Sequence, residues 1–232
     1  YSFAKGHSAS YAVESYQSLY LKAHYPLEFM VGVINNFGGF YKTEFYVHEA
    51  RRLGAHIEAP CVNHSMYRTT IRGTTIYLGF IHIKALETRL AQHIAEERLQ
   101  HGAFRSLDDF LRRMKPTPEQ VRILIRIGAL RFTGKTKQQL LWESMLYFSR
   151  NKVQTPTTEL FDTTPKEYPL PALARNELED GFDEIELLGF PLCNPFKLIA
   201  SAGATHRAAD IPGHAGKDIC LLGYVVTVKH TC

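Results

Sequence analysis

Apolar residues recur at helical spacing along the first part of the chain. The repeat runs from about residue 7 to 34, and Pro26 interrupts it because proline cannot donate a backbone hydrogen bond. We therefore predict one helix before Pro26 and a second from Leu27 to Asn35. A third helix is predicted over residues 42–53, where Gly54 supplies the expected stop.

The pattern then changes to that of short strands. Residues 57–63 form a short extended piece, and strands are predicted at 67–71 and 75–78, joined by a turn over Arg72-Gly73-Thr74. Short helices broken by Gly and Pro follow, and the β-branched run 219–228 predicts one more strand. The predicted fold class is mainly α with a small β component.

The composition is that of an ordinary globular protein. Hydrophobic residues make up 45% and charged residues 22% of the 232 residues. No apolar run approaches the roughly 20 residues that span a bilayer, so we expect no membrane partner. The four cysteines form no C-x-x-C pair, which argues against a zinc ribbon and a disulfide framework and favours reduced thiols in the cytoplasm.

Charge is distributed unevenly along the chain. Residues 78–135 contain eleven Lys and Arg against six Asp and Glu, whereas residues 151–190 contain three against nine. The Thr- and Pro-rich stretch 151–175 has the composition of a linker. A basic middle followed by an acidic stretch indicates that the first segment meets a polyanion, although two solvated faces of opposite bias would give the same counts.

The start of the first helix carries residues suited to an anion. Lys5 and His7 stand beside Ser8, which is an N-cap candidate. A helix N-terminus presents free backbone N–H groups and the positive end of the helix dipole, so this segment is a candidate phosphate site. A plain capped helix with a surface lysine is the alternative.

The same run resembles the end of the fingers region in the C-family DNA polymerases, the family of the bacterial DNA polymerase III alpha subunit. Residues 1–30 read Y-S-F-A-K-G-H-S-A-S-Y-A-V-E-S-Y-Q-S-L-Y-L-K-A-H-Y-P-L-E-F-M, and the family pattern is F-N-K-S-H-(A/S)-A-x-Y, then S-Y-Q-(T)-x-x-L-K-A-H-Y-P-x-E-F-M. E-A-R-R-L-G-A-H-I-E-A-P-C-V-N-H-S is also similar to the family's E-x-R-R-M-G-I-x-(V/I)-L-P-P-D-I-N-x-S. Since the chain begins with Tyr1 and not with Met, we expect it to be a fragment of a longer protein.

In this family the fingers form part of the pocket for the incoming nucleotide. The resemblance therefore implies four nucleotide-binding residues, Lys5, His7, Ser8 and Tyr11. A lysine suits phosphate oxygens and a tyrosine offers a flat ring. Ala4 and Gly6 depart from the Asn and Ser that the family usually carries, which leaves the contacts themselves open.

Two segments resemble the family's helix-hairpin-helix module, in which a tight glycine hairpin holds a DNA phosphate through backbone N–H groups. In the first hairpin, Ala85-Leu86-Glu87 replaces the expected G-V-G after Lys84, so we expect a weakened grip and a role in packing. The second hairpin, over residues 117–141, keeps its glycines. The predicted DNA contacts of the two hairpins are Lys84, Arg122, Arg126, Gly128, Arg131, Gly134, Lys135 and Lys137. A helical bundle with a basic face is the alternative.

Two further resemblances lie in the second half of the chain. Thr157-Thr158-Glu159-Leu160-Phe161-Asp162 is similar to the family's sliding-clamp peptide Q-x-x-(L/M)-F without its Gln, so Leu160 and Phe161 are predicted to bind the clamp or to anchor the linker. L-G-F-P-L-C-N-P-F resembles the entry to the family's OB-fold. The expected domains are the fingers end at 1–55, the helix-hairpin-helix module at 56–148, an acidic linker at 149–188 and an incomplete OB-fold at 189–232.

The sequence contains no candidate catalytic site. Polymerases of this family hold Mg²⁺ with an aspartate cluster in the palm, which precedes the fingers, and Asp108-Asp109 after Ser106 indicates a helix start instead. We expect a bacterial cytoplasmic fragment that needs Mg²⁺ only in the intact polymerase. Its expected partners are primer-template DNA, the incoming dNTP, the sliding clamp and other replisome subunits. A non-catalytic DNA-binding adaptor and a damage-tolerant polymerase paralogue are the alternatives.

Overall fold

The computed structural model describes residues 4–153, 177–199, 203 and 206–225. Its helices are α1 (Lys5–His24), α2 (Pro26–Asn35), α3 (Thr43–Arg52), α4 (Thr88–His101), α5 (Leu107–Met114), α6 (Pro118–Arg126), α7 (Lys137–Val153) and α8 (Glu177–Leu188). Its strands are β1 (His56–Glu58), β2 (Thr70–Arg72) and β3 (Thr75–Tyr77). The predicted fold class, mainly α with a small β component, is confirmed.

The first three helices begin and end close to the predicted positions. Pro26 occupies the first turn of α2, where its missing N–H group costs no hydrogen bond. Gly38 follows α2 with φ +84° and Gly54 follows α3 with φ +94°, the left-handed conformation in which a helix commonly stops. The predicted divisions at Pro26 and Gly54 are therefore confirmed.

Side-chain caps fix the starts of the later helices. The Ser106 hydroxyl accepts a hydrogen bond from the Asp109 amide at the start of α5, and Thr117 accepts one from the Gln120 amide in α6. Thr136 and Gln139 bond each other's backbone amides before α7, which is a capping box. The role of Ser106 as a helix start agrees with the sequence prediction.

The three strands form one small sheet in the order β1-β3-β2. β2 and β3 are antiparallel around Gly73, as predicted, and β1 runs parallel to β3. Successive residues of a strand point to opposite faces, so Ile57 and Ile76 are buried while their neighbours face outward. The sheet therefore has one packed face and one open face.

A single apolar core joins helices α2 to α8 and the sheet, whereas α1 and residues 206–225 contribute no buried residue to it. It extends from Met30 in α2, through the sheet and α4–α7, to Leu187 and Leu188 in α8 and Phe190 beyond it. The range 149–188, assigned to a linker, thus includes all of α8, packed on the module. Leu160 and Phe161 lie outside the described residues, and the proposed domain boundaries stay predictions.

The strand predicted at 219–228 does not form over the residues that are described. Within 206–225 there is only an isolated bridge between His206 and Leu221, besides a 3₁₀ turn over Ala208–His214. A strand requires a neighbour to satisfy its backbone, and within the described residues this run pairs only through that bridge at Leu221. The prediction was therefore wrong for residues 219–225, and 226–228 lie outside the described residues.

Candidate nucleic-acid interface

The predicted nucleotide-binding residues all lie in the first two turns of α1. Lys5, His7 and Tyr11 are exposed, and α1 has no buried residue. The rings of His7 and Tyr11, one turn apart, meet edge to face with their centroids 4.4 Å apart. The helix head is therefore open to a ligand and is not packed against the core.

Ser8 does not cap α1, so that prediction was wrong. The helix begins at Lys5, with Ala4 in the capping position, and the Ser8 hydroxyl donates to the Ala4 carbonyl oxygen at 3.3 Å. A serine inside a helix satisfies its hydroxyl on the preceding turn in this way. The first amides of α1 receive no side-chain cap, and they remain open to an anion.

The first hairpin is closed by internal hydrogen bonds. It joins the 3₁₀ turn Phe80–His82 to α4, and Ala85 in the turn has φ +61°, a conformation that favours glycine. The Glu87 amide donates to the Gln120 side chain at 2.8 Å, and the same side chain donates to the Ala85 carbonyl at 3.0 Å. These backbone groups are occupied, as expected of a hairpin that serves in packing.

The second hairpin keeps glycine at its left-handed positions, whereas the first hairpin has alanine at its left-handed position. Gly128 after α6 has φ +75°, and Gly134 before α7 has φ +70°. The Ala129 amide closes the end of α6 on the Leu124 carbonyl at 2.8 Å. A Cβ at either glycine would meet no atom within 4 Å, so the backbone here is open to the approach of a ligand.

Each basic residue predicted around the second hairpin has a carboxylate partner. Arg122 pairs with Glu119, Lys135 with Glu143, and Arg131 with Glu58, in addition to the Pro60 and Ala59 carbonyl groups. The first two are exposed pairs within or beside their own helix, which contribute little and exchange easily with another anion. Lys84 in the first hairpin is also exposed, and its backbone amide donates to the Leu187 carbonyl at 2.8 Å.

Arg126 and Lys137 are held by α8. Arg126 donates to Asp183 at 2.7 Å and to both oxygens of Glu186, and these hydrogen bonds, with Glu186 the strongest, raise the pKa of Arg126 above its usual value. Lys137 lies 2.7 Å from Asp180 and 2.9 Å from Asp183. Both basic side chains are half-buried in these contacts, so they join α8 to the second hairpin.

The carboxylates of α8 are functional-site residues that the sequence analysis missed. Their signal was present, since the acidic stretch that contains α8 follows the basic one and is complementary to it. Glu184 has a different role: it accepts the Leu192 amide, and burial raises its pKa. A pocket of about 390 Å³ between α8 and the second hairpin is lined by cations and carboxylates alike, among them Lys135 and Glu179.

Comparison with known proteins identifies the module. A family model for the helix-hairpin-helix motif matches residues 54–140. DNA polymerase III subunit alpha of Thermus aquaticus is 39% identical over 137 residues, which is 56% of this chain and 11% of that protein. The Treponema pallidum subunit is 32% identical over 205 residues, 82% of this chain and 17% of that protein. The chain is similar to a part of the DNA polymerase III alpha subunit.

The match extends to a second kind of C-family polymerase. The error-prone DNA polymerase of Mycobacterium tuberculosis is 32% identical over 145 residues, 61% of this chain and 13% of that protein. The chain thus spans 11 to 17% of the length of these relatives. The resemblance to the C-family polymerases found in the sequence is confirmed, and the whole protein's activity is a matter for proposal.

Side chains that could bind a metal ion are not grouped together in the described part of the chain. Among the described residues there is no group of three His, Cys, Asp or Glu side chains that could hold a metal ion. The Mg²⁺ that the family implies therefore finds no fitting ligands in residues 4–153 and 177–199, and no chemical step is assigned to them. Within the same ranges, no helix has both the length and the apolar character of a membrane span.

Proposed function

We propose that this chain is a segment of a DNA-directed DNA polymerase that contacts the incoming nucleotide and the backbone of the DNA duplex. The observation that carries the proposal is the helix-hairpin-helix match over residues 54–140, together with two left-handed glycines in the second hairpin. Such turns let a phosphate approach the backbone closely without reading the base sequence. The catalytic carboxylates and their Mg²⁺ would then be supplied from outside the described residues.

The second hairpin is the stronger candidate for the duplex. Its exposed cations, Arg122 and Lys135, are paired only to carboxylates on neighbouring turns, and a phosphate would replace those partners at little cost. Arg126 and Lys137 would first have to leave the carboxylates of α8. We therefore assign the direct contacts to the Gly128 and Gly134 turns with Arg122, Arg131 and Lys135, and a supporting role to Arg126 and Lys137.

Duplex binding by the chain tests this assignment. Lys135→Glu should raise the Kd for a fluorescent duplex five- to tenfold and reduce the slope of log K against log salt by about one, because fewer counterions are released. Lys217→Glu makes the same charge change at an exposed residue in 206–225 and should leave the Kd within twofold. Equal effects of the two variants would contradict the assignment, and a loss of binding on Glu87→Gly would contradict the packing role of the first hairpin.

The head of α1 supports the nucleotide contact. Lys5 and His7 stand exposed beside amides that carry no cap, and Ser8 and Tyr11 follow on the next turn. In the intact polymerase, Lys5→Ala should raise the KM for nucleotides in primer extension, since a triphosphate loses a charge contact. Lys22→Ala, in the last turn of the same helix, is the matched control. An unchanged KM for Lys5→Ala would remove Lys5 from the nucleotide pocket.

Two other assignments rest on the family resemblance alone. Leu160 and Phe161 are proposed to bind the sliding clamp, and the residues after 189 are proposed to begin an OB-fold. The similarity to an error-prone polymerase supports the paralogue as a second candidate function, because the identity of 32% equals that to the Treponema pallidum alpha subunit. Other replisome subunits are proposed as further partners.

A further inference from the structure

The open face of the sheet carries charge and an aromatic ring in a fixed arrangement. Tyr77 lies on the central strand β3, between Glu58 on β1 and Thr70 on β2. At the hairpin tip, the Arg72 guanidinium lies over the Tyr77 ring at 5.6 Å from its centroid. Arg72 is exposed and its guanidinium has no carboxylate partner within the described ranges, so its charge faces solvent.

A loop over residues 61–66 brings a histidine onto this face. His64 stacks on Tyr77 with centroids 5.7 Å apart and planes at 28°. The loop is held from below by Arg98, whose guanidinium donates to the Val62 carbonyl at 2.6 Å and the Ser65 carbonyl at 2.8 Å. Since Arg98 is buried and bonded to carbonyl oxygens, it fixes the loop while its charge stays uncompensated.

The electrostatic field around His64 is positive. Burial, and then the charges of Arg131, Arg72 and Arg98, lower the pKa of His64, which favours its neutral form. The carboxylate of this face is Glu58, which already accepts from His56 at 2.8 Å and from Arg131 at 2.7 Å. Three arginines and one committed carboxylate therefore leave an excess of positive charge beside a ring that can donate a hydrogen bond.

This face continues into the second hairpin. Arg131 bridges the two, since it donates to Glu58 on β1 and to the Gly128 carbonyl in the hairpin turn. The loop is joined to the same turn by the Val62 amide, which donates to the Ala129 carbonyl at 3.0 Å. An anionic chain that lies on the Gly128 turn can thus pass Arg131 and reach His64 and Arg72 over a rigid surface.

We propose that the open face of the sheet, formed by Arg72, Tyr77, His64 and Arg131, is a second binding surface for the phosphate backbone of DNA. The proposal rests on the duplex contact proposed for the second hairpin and extends it past Arg131 to three residues that neither hairpin contains, His64, Arg72 and Tyr77. A guanidinium held over an aromatic ring is preorganised to donate to two oxygens of a phosphate. A neutral imidazole can donate a hydrogen bond to a third phosphate oxygen. An acidic peptide would meet the same charges, and the experiment separates the two.

The test is binding of a fluorescent duplex to the 232-residue chain at about 50 and 200 mM salt. Arg72→Gln should raise the Kd three- to tenfold and lower the salt slope by about one, as expected for one lost phosphate contact. Arg72→Lys should recover most of the affinity, since the charge is kept. Arg112→Gln, on α5 and paired with Asp108 one turn away, removes the same charge and should leave the Kd within twofold.

The outcomes separate this surface from the hairpin. If Lys135→Glu weakens binding while Arg72→Gln and His64→Ala do not, the surface inference is overturned and the proposed function stands. If the wild-type chain does not bind duplex at all, the proposed function fails as well. Displacement of the duplex by polyglutamate at an equal concentration of charge would overturn the assignment to nucleic acid. Unchanged thermal unfolding of Arg72→Gln, an exposed position, ensures that a change in Kd reports on the surface.

Discussion

The two hairpins of the module both contain left-handed residues, but they differ in the residue types that adopt this conformation. The first holds Ala85 in a left-handed conformation and uses Gln120 to satisfy its own polar groups. The second has glycine at both left-handed positions, and the Gly128, Ala129 and Gly134 amides donate to carbonyl groups of the same segment. An alanine can therefore hold a left-handed turn when a neighbouring side chain bonds the polar groups of that turn. The shape of a hairpin alone does not report whether it binds a phosphate.

The largest expected effect concerns the glycine that precedes the first hairpin. A Cβ at Gly79 would overlap the backbone of Arg68 and Thr69, and backbone cannot move aside as a side chain can. Gly79→Ala should therefore destabilise the chain by about 3 kcal/mol. Gly128→Ala, in open space with φ +75°, should cost about 1 kcal/mol from the left-handed conformation alone. Urea unfolding of both variants measures the difference, and equal losses would contradict the packing role.

An intermediate effect separates two arginines of α6. Arg126→Ala leaves Asp183, a largely buried carboxylate, without one of its cationic partners, so we expect a loss of about 1–2 kcal/mol in the free energy of unfolding. Arg122→Ala, one turn earlier with an exposed partner, should cost less than about 0.5 kcal/mol. Urea midpoints at equal m-values provide the comparison. Similar midpoints for the two variants would mean that α8 is not fastened through Arg126.

The smallest effect has the opposite sign. Ala85→Gly should stabilise the chain by about 0.5–1 kcal/mol. The Cβ of alanine is strained at φ +61°, and we expect this strain to exceed the cost of glycine's greater entropy in the unfolded chain. Ala103→Gly, in the exposed connection between α4 and α5, should destabilise it by a similar amount. If both substitutions destabilise, Ala85 is not strained and the comparison of the two turns is weakened.

Local signals made much of the fold predictable. Single residues fix several helix boundaries through their adjacent residues. Pro26 sets the end of α1, Gly54 the end of α3 and Ser106 the start of α5. The hairpin around Gly73 is equally local. The missed features depend on distant partners. Arg126 meets Asp183, 57 residues away, and the run at 219–225 stays unpaired because strand formation depends on a neighbour that sequence alone does not specify.

One part of the candidate site could be predicted from the sequence and another part could not. The exposed head of α1 follows from its sequence, but the wrong cap at Ser8 shows that a helix can begin one turn before its best capping residue. The surface at His64 escaped prediction because it is built from a loop, two strands and a hairpin. No single segment of sequence contains it.

The bare helix α1 acts mechanically as a lever. Its 20 residues span about 30 Å, and its contacts with the rest of the described chain are made at the end near α2. A tilt of about five degrees at Tyr25 would displace Lys5 by roughly 2.5 Å, close to the length of a hydrogen bond. If Lys5 contacts the nucleotide as proposed, its position depends on what flanks the exposed helix, and a substitution at Tyr16 or Leu19 should change the nucleotide affinity.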